Sequence, residues 1–109
     1  MEDDVYEAIR YFGQRNKIQY VHFRNVSGPV PRFHEEFINK GDVDMYKAMK
    51  LYRDVGFKGV FIDDHCPDIE GDRTFQERDG AGGYQSRAFA QGYIQAMLEA
   101  VQKQADEAR

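Results

Sequence analysis

The sequence predicts an α/β fold in which short parallel strands alternate with helices. Two β-rich runs, at residues 17–23 and 59–62, are each flanked by segments whose apolar residues recur at helical spacing. A cluster of polar, reactive side chains stands where each β-rich run ends. Parallel α/β folds collect their catalytic groups at the carboxyl ends of their strands, so this placement favours the same fold class.

The composition is that of one small globular domain. The 109 residues are 41% hydrophobic and 31% charged, which excludes low-complexity disorder. A formal net charge of −4 gives no general attraction to nucleic acids or anionic membranes. No apolar run approaches the roughly 20 residues that cross a bilayer, and the acidic start lacks the order of a signal peptide. A single cysteine suits a reducing compartment, so we expect a cytoplasmic location.

The chain begins with a predicted helix, a strand and a loop. Residues 4–14 form the helix and end near Gly13; their apolar side chains at helical spacing are Val5, Ala8, Ile9 and Phe12. Residues 17–23 follow a turn-prone segment and form the first strand. A loop rich in glycine and proline then runs to Gly41.

The rest of the chain makes a crude repeat of two strand-then-helix units, at residues 17–55 and 58–104. Asp42 or Asp44 caps a second helix that Gly56 closes. Residues 59–62 are apolar throughout, which is typical of a strand buried on both faces. A long polar loop leads to a last helix at about residues 85–104. Its side chains expected toward the interior are Ala88, Phe89, Gly92, Ile94, Ala96, Met97 and Val101.

Two parallel strands and three helices bury little apolar surface for an independent domain. The outer strand edges would be open to pairing with another chain. We therefore interpret residues 1–109 as one partial domain of a larger parallel sheet or barrel. Its other strands would come from further sequence or from another chain, which leaves a homo-oligomer open.

The first polar cluster closes the strand at residues 17–23. His22 and Arg24 lie two residues apart on an extended chain and point to the same face. The functional interpretation makes His22 a metal ligand through its neutral imidazole and Arg24 a bidentate partner of a substrate carboxylate. The alternative is a histidine satisfied by a backbone carbonyl beside an arginine salt-bridged at the rim.

The second cluster is Asp63, Asp64 and His65, directly after Ile62. Two adjacent carboxylates lower stability unless a cation or a hydrogen-bond network offsets their repulsion. Because their side chains alternate in direction, one can face a metal while the other holds the turn. The alternative is a solvated loop start with helix-capping acids. Together the two clusters predict a divalent-cation site with oxygen and nitrogen ligands.

Other polar residues carry weaker signals. Cys66 has no second cysteine for a structural zinc site and is interpreted as a free thiol. His34 is expected to be a loop residue. The glycine-rich run at 80–83 lacks the lysine and spacing of a P-loop and is interpreted as a flexible lid. Tyr84 and Arg87 either face the strand ends or belong to an ordinary first helical turn.

Several short boxes in a fixed order make the chain resemble the C-terminal third of a bacterial D-mannonate dehydratase, of the kind with a xylose-isomerase-like TIM barrel. The boxes are Val5–Arg10, His22–Val26, Gly41–Met45, Asp63–His65 with Pro67, and Gly92–Ile94. The resemblance implies that residues 17–23 and 59–63 are the last two strands of a (β/α)8 barrel, with the three helices on its outer ring.

The resemblance also implies an activity, the dehydration of D-mannonate to 2-keto-3-deoxy-D-gluconate in hexuronate breakdown, with Mn²⁺ or Fe²⁺. The site residues that it implies are His22 and Asp64 as metal ligands, His65 and Tyr84 for proton transfer, and Arg24 as a substrate contact. The family's other ligands, a cysteine and a histidine, are expected upstream of these residues, and Cys66 is not that cysteine. The family's tyrosine stands further ahead of the arginine that Arg87 matches, so Tyr84 departs from the pattern.

Two other interpretations remain open from the sequence. A sugar isomerase or epimerase uses the same barrel, although a carboxylate contact such as Arg24 favours an acid sugar. A non-enzymatic assembly module would instead pair its strand edges with a partner and would show no metal dependence.

Overall fold

The computed structural model describes residues 4–72 and 82–109. Within these residues the elements, in chain order, are α1 (Val5–Gln14), β1 (Tyr20–His22), β2 (Val26–Ser27), β3 (His34–Glu35), α2 (Met45–Asp54), β4 (Val60–Ile62) and α3 (Tyr84–Glu107). β1 pairs with β4, and β2 pairs with β3. The predicted α/β class, with three helices and a pair of parallel strands, is confirmed.

The β1–β4 pair is parallel. Val21 lies opposite Phe61, and His22 lies opposite Ile62. The pairing continues beyond the strand, because the Phe23 N–H donates to the Ile62 carbonyl at 2.8 Å. The chain passes from β1 to β4 through α2, and since both strands run in the same direction, their carboxyl ends stand side by side.

The two faces of this sheet have different surroundings. Val21 and Phe23 are 5% and 4% exposed and belong to a core with residues of all three helices. On the opposite face, Tyr20 and Val60 are 51% and 59% exposed. The prediction that residues 59–62 are buried on both faces is therefore wrong for this chain, because its helices pack on the Val21 side.

Local signals set the bounds of α2. The Asp44 carboxylate accepts from the Lys47 N–H at 3.0 Å and caps the helix. Asp42, the other candidate, instead accepts from the Gly28 N–H at 2.8 Å. Gly56 follows the helix with a φ of +78°, the left-handed conformation that favours glycine. The predicted start and end of this helix are thus confirmed.

α3 buries a narrower stripe than the sequence predicted. The buried residues of the helix are Ser86, Ala90, Ile94 and Val101. Phe89 is 45% exposed, and the other predicted interior residues that are exposed are Ala88, Gly92 and Ala96. The helix packs along one side against α2 and β4, so a single stripe of side chains is enough to hold it.

The β2–β3 pair was not predicted. Val26 lies opposite Glu35 and Ser27 opposite His34, inside the segment interpreted as a loop. Strands of two residues are too short to show an alternating pattern. Their pairing matters because it folds the chain back over the carboxyl end of β1.

No helix in the described part of the chain combines the length and the apolar character needed to cross a membrane.

Candidate active site

The two predicted clusters meet at the carboxyl ends of β1 and β4. His22 is the last residue of β1, and Asp64 follows the end of β4. The His22 Nδ1 lies 3.5 Å from the Asp64 Oδ2. The His22 side chain is 52% exposed and that of Asp64 is 23% exposed, so a molecule on the open face of the sheet can reach both.

His65 approaches the other oxygen of the same carboxylate. Its Nε2 lies 3.8 Å from the Asp64 Oδ1, and its side chain is 47% exposed. Asp64 therefore has an imidazole on each side. Both distances are too long for a strong hydrogen bond, so neither ring nitrogen is tightly bound to Asp64.

Arg24 contacts two carboxylates. Its Nε donates to the Glu35 Oε2 at 2.9 Å, and its Nη2 donates to the Glu35 Oε1 in a bidentate pair. Its Nη1 lies 3.6 Å from the Asp64 Oδ2. The hydrogen bond with Glu35 raises the pKa of Arg24, against the opposing effect of desolvation. The arginine is thus salt-bridged, as in the alternative from the sequence, and its role as a substrate contact stays a prediction.

Glu35 is the residue of this cluster that the sequence analysis missed. Its pairing opposite Val26 in the β2–β3 pair brings its carboxylate to Arg24. The ring of Phe33 also lies 5.6 Å from the Arg24 guanidinium. In the sequence, Glu35 and Glu36 are adjacent acids in a loop, and nothing in their local pattern distinguishes the one that binds arginine.

Asp63 turns toward the helices while Asp64 faces the site. It is 8% exposed. Its Oδ2 accepts from the Arg87 Nη1 at 2.9 Å, and its Oδ1 accepts from the Gln91 Nε2 at 3.1 Å. The two adjacent acids therefore occupy different environments. The predicted alternation in direction is confirmed, but Asp63 binds side chains of α3 rather than capping the turn, and a metal beside Asp64 stays a prediction.

Asn25 fixes the segment after β1. It is 1% exposed, and its Nδ2 donates to the carbonyls of Ile38 at 3.0 Å and Val43 at 2.9 Å. Its Oδ1 accepts from the N–H groups of Val26 and Val43, each at 3.1 Å. This uses the donors and acceptors of the amide fully. Asn25 stood in one of the resemblance boxes, but the sequence alone gave it no role.

The start of α3 is fixed to the loop after β4. The Asp72 carboxylate accepts from the N–H groups of Gln85 and Ser86 at 3.1 Å, and the Ser86 Oγ donates to the Pro67 carbonyl at 2.9 Å. Tyr84, the first residue of the helix, is 55% exposed. It thus stands on an anchored helix start, and its role in proton transfer stays a prediction.

Three weaker sequence signals remain, and the structure describes Cys66, His34 and part of the glycine-rich run. Cys66 is a buried free thiol, and a Cβ at Gly82 would overlap its sulfur. His34 is exposed in β3. Of the glycine-rich run interpreted as a lid, residues 80 and 81 lie outside the described residues, while Gly83 takes the N-cap position of α3.

A recess of about 330 Å³ lies beside His22 and Arg24. Its walls include Val26, Val30 and Phe33, all from the segment after β1. A volume of this size can hold a small ligand. The apolar walls give a sugar few hydrogen-bonding partners, so the polar groups at its rim are the better candidates for substrate recognition.

His22 and Asp64 offer the ligand types that Mn²⁺ and Fe²⁺ accept, an imidazole nitrogen and a carboxylate oxygen. Their donor atoms stand 3.5 Å apart on neighbouring strand ends. Across residues 4–72 and 82–109, no three histidine, cysteine, aspartate or glutamate side chains form a group that could hold a metal ion. The two residues therefore fit half of a metal shell, and metal binding stays a prediction.

Comparison with known proteins identifies the family of this chain. The family model for D-mannonate dehydratase (UxuA) matches residues 1–108. Mannonate dehydratase 2 of Halalkalibacterium halodurans is 35% identical over 102 residues, which are 91% of this chain and 28% of that protein. Mannonate dehydratase of Lactococcus lactis subsp. lactis is 35% identical over 106 residues, which are 93% of this chain and 28% of that protein. Mannonate dehydratase of Thermotoga petrophila is 32% identical over 105 residues, which are 94% of this chain and 28% of that protein.

A solved structure shares the fold. The crystal structure of mannonate dehydratase from Streptococcus suis serotype 2 matches with a TM-score of 0.80 and 33% identity, over 94% of this chain and 29% of that one. The chain spans about 28% of the length of the curated relatives named above. The family match nonetheless covers almost all of its residues. The chain belongs to the D-mannonate dehydratase (UxuA) family.

Proposed function

We propose that this chain forms part of the active site of a D-mannonate dehydratase, as two strand–helix units and one preceding helix of a complete (β/α)8 barrel. The reaction removes water from D-mannonate and yields 2-keto-3-deoxy-D-gluconate, a step in hexuronate breakdown that we assign to the cytoplasm. Family membership supports the reaction. A parallel strand pair with helices on one face and an open second face supports the barrel.

The observation that carries the proposal is the meeting of His22, Asp64 and His65 at two adjacent strand ends. The carboxyl ends of the strands are where such barrels hold their catalytic groups. His22 and Asp64 would hold Mn²⁺ or Fe²⁺ together with ligands from the rest of the barrel. When bound, the metal would polarise the substrate oxygens and stabilise negative charge next to the substrate carboxylate.

The proposed proton transfers use His65 and Tyr84. Loss of water requires that a base remove the C2 proton and that an acid protonate the departing C3 hydroxyl. The His65 imidazole is 47% exposed beside Asp64, which leaves a face open to a substrate above the strand ends. We assign one transfer to His65 and the other to Tyr84 at the start of α3.

We assign recognition of the substrate carboxylate to Arg24. Glu35 holds two of its nitrogens, which leaves Nη1 directed toward the site. A guanidinium held in one orientation binds a carboxylate with less loss of side-chain entropy. This cation favours an acid sugar and argues against an isomerase that acts on neutral sugars.

The direct test is the rate of D-mannonate dehydration with and without Mn²⁺. It is measured on the purified 109-residue chain and after co-expression with the preceding segment of a family member's barrel. We expect the chain alone to be inert, because two ligands bind a metal weakly, and the complemented barrel to be active only with metal. Robust turnover by the chain alone would contradict the split site.

Variants of two exposed histidines make the test specific to the site. In the complemented barrel, His22→Ala should lower turnover by at least about 100-fold, as expected for a lost metal ligand. His34→Ala removes an exposed imidazole from β3 and should leave turnover within about twofold. Absence of turnover in every preparation, together with a stable metal-independent oligomer, would support the assembly module instead.

A further inference from the structure

We propose that Asp63 is the positioning residue of this site, and that its contacts with Arg87 and Gln91 set the direction of Asp64 and His65. The catalytic meaning of this assignment rests on the proposed function. Its geometry rests only on residues of this chain.

Asp63 has the surroundings of an anchor. Its side chain is 9% exposed, and each carboxylate oxygen accepts a hydrogen bond from a different residue of α3. Arg87 and Gln91 stand one helical turn apart on the same face of that helix. A buried carboxylate that loses such a partner costs free energy, and a shift of the carboxylate toward solvent would lower that cost.

The position of Asp63 lets it control its neighbour. β4 ends at Ile62, so side-chain contacts, rather than strand pairing, direct the chain from Asp63 onward. Successive side chains of an extended chain point to opposite faces. Holding Asp63 against α3 therefore turns Asp64 toward His22 and the open face.

A second attachment to the same helix lies just beyond the site. The Ser86 Oγ donates to the Pro67 carbonyl at 2.9 Å, and Ser86 is fully buried. The reactive residues Asp64 and His65 thus lie between two points that α3 holds. The first point, Asp63, is adjacent to Asp64, so its release should move the carboxylate most.

The test compares nuclear magnetic resonance spectra of the chain and of Asp63→Asn at one fixed pH. The substitution keeps the size of the aspartate side chain but removes the charge that pairs with Arg87. We expect the imidazole nitrogen resonances of His22 and His65 to shift, whereas the Asp64 amide is bonded to the changed residue and shifts in either case. We also expect broadening of the His22 resonances by added Mn²⁺ to require about tenfold more metal, as when a ligand loses its support.

A purely structural role gives a different result. If Asp63 only joins α3 to the sheet, Asp63→Asn lowers the unfolding temperature while the imidazole resonances of His22 and His65 stay in place. That outcome overturns the proposal. Failure of mannonate turnover in the complemented barrel removes the proposed function, but it leaves the shift of these resonances, and hence the positioning, as observed.

A milder pair of variants covers the case in which Asp63→Asn does not fold. Gln91→Met removes one hydrogen bond to Asp63 and keeps the Arg87 pair. Gln95→Met makes the same change one turn along α3, at another exposed residue. We expect Gln91→Met to shift the imidazole resonances of His22 and His65 in the same direction as Asp63→Asn but less, and Gln95→Met to leave them unmoved. Equal positions of these imidazole resonances in the two methionine variants would overturn the proposal.

Discussion

The two strand ends of the candidate site are held by different interactions. At the end of β1 the anchor is neutral, since the amide of Asn25 is 1% exposed and bonds only to backbone groups. At the end of β4 the anchor is ionic, since the Asp63 carboxylate forms an ion pair with Arg87 of α3 and also accepts a hydrogen bond from Gln91. The first anchor joins the strand to its own following segment, whereas the second depends on the seating of a distant helix.

This difference indicates how each end should respond to change. A buried amide with all its hydrogen bonds made is rigid and insensitive to charge, so damage to it should lower global stability. A strand end held by an ion pair should shift locally when charge is altered. The variants below change the β1 end and the core beneath both ends. Their effects on stability can be compared with those of the Asp63 variants, which change the β4 end.

The largest effect is expected from Asn25→Ala. Loss of the amide removes its hydrogen bonds to the Ile38 carbonyl, the Val26 N–H and both backbone groups of Val43. We expect the free energy of unfolding, measured by urea denaturation, to fall by about 3 kcal/mol. Asn39→Ala, at an exposed position of the same segment, should change it by less than about 0.5 kcal/mol. Equal losses in the two variants would show that Asn25 is not an anchor.

The next effect concerns the space that the Asn25 anchor needs. A Cβ at Gly41 would overlap the Asn25 Oδ1 and lie 2.6 Å from the Val26 carbonyl oxygen. Gly41→Ala should therefore lower the free energy of unfolding by about 2 kcal/mol.

Gly92→Ala is the matched control for that substitution. Among the described residues, no atom lies within 4 Å of a Cβ at Gly92 apart from its chain neighbours and the nearby backbone of α3 itself. The substitution should raise the free energy of unfolding by about 0.5–1 kcal/mol, because alanine favours a helix over glycine. Thermal or urea unfolding of both variants checks the opposite signs, and a common sign would contradict the packing at Gly41.

A smaller effect is expected from Glu35→Gln, which tests the charged part of the β1 end. The neutral amide keeps the shape of glutamate but weakens the bidentate pair with Arg24. The side chains of Arg24 and Glu35 are 28% and 19% exposed, so we expect a loss of about 1 kcal/mol in the free energy of unfolding. In the complemented barrel, the KM for mannonate should rise because Arg24 loses its fixed orientation. Glu99→Gln, on the exposed side of α3, should leave both values unchanged.

The smallest effect concerns the core beneath both strand ends. The Tyr52 ring packs edge-on against Phe23 of the β1 end and against Phe61 of β4, and burial raises the pKa of its hydroxyl. An unfolded tyrosine loses its proton near pH 10. The raised folded pKa therefore contributes stability that is fully present below about pH 10 and is lost as the pH rises through the folded value.

Tyr52→Phe should reduce this loss of unfolding free energy at alkaline pH. Urea unfolding at about pH 8 and about pH 10.5 measures it. Tyr11→Phe, at a tyrosine that is 49% exposed, provides the control and should leave the alkaline loss as it is. Identical pH dependence in the two variants would show that burial of Tyr52 does not couple to titration.

Local chemistry let the sequence predict the ends of α2, the parallel strands and the meeting of the two polar clusters. The Asp44 cap and the terminal Gly56 of α2 depend on residues within one helical turn, and the structure shows both. The apolar runs predicted the parallel strands, and the polar clusters after them predicted that His22 and Asp64 would meet. The roles of these residues as metal ligands stay a prediction.

The tertiary structure alone decided which partners surround these residues. Glu35 reaches Arg24 through a strand pair too short to leave a sequence pattern. Asp63 reaches Arg87 because α3 returns across the end of β4. Tertiary packing also decided that the sheet face bearing Val60 is exposed, since a strand's own residues cannot specify what packs on each side. Periodicity and capping act over a few residues, whereas burial and ion pairing depend on contacts between segments far apart in the chain.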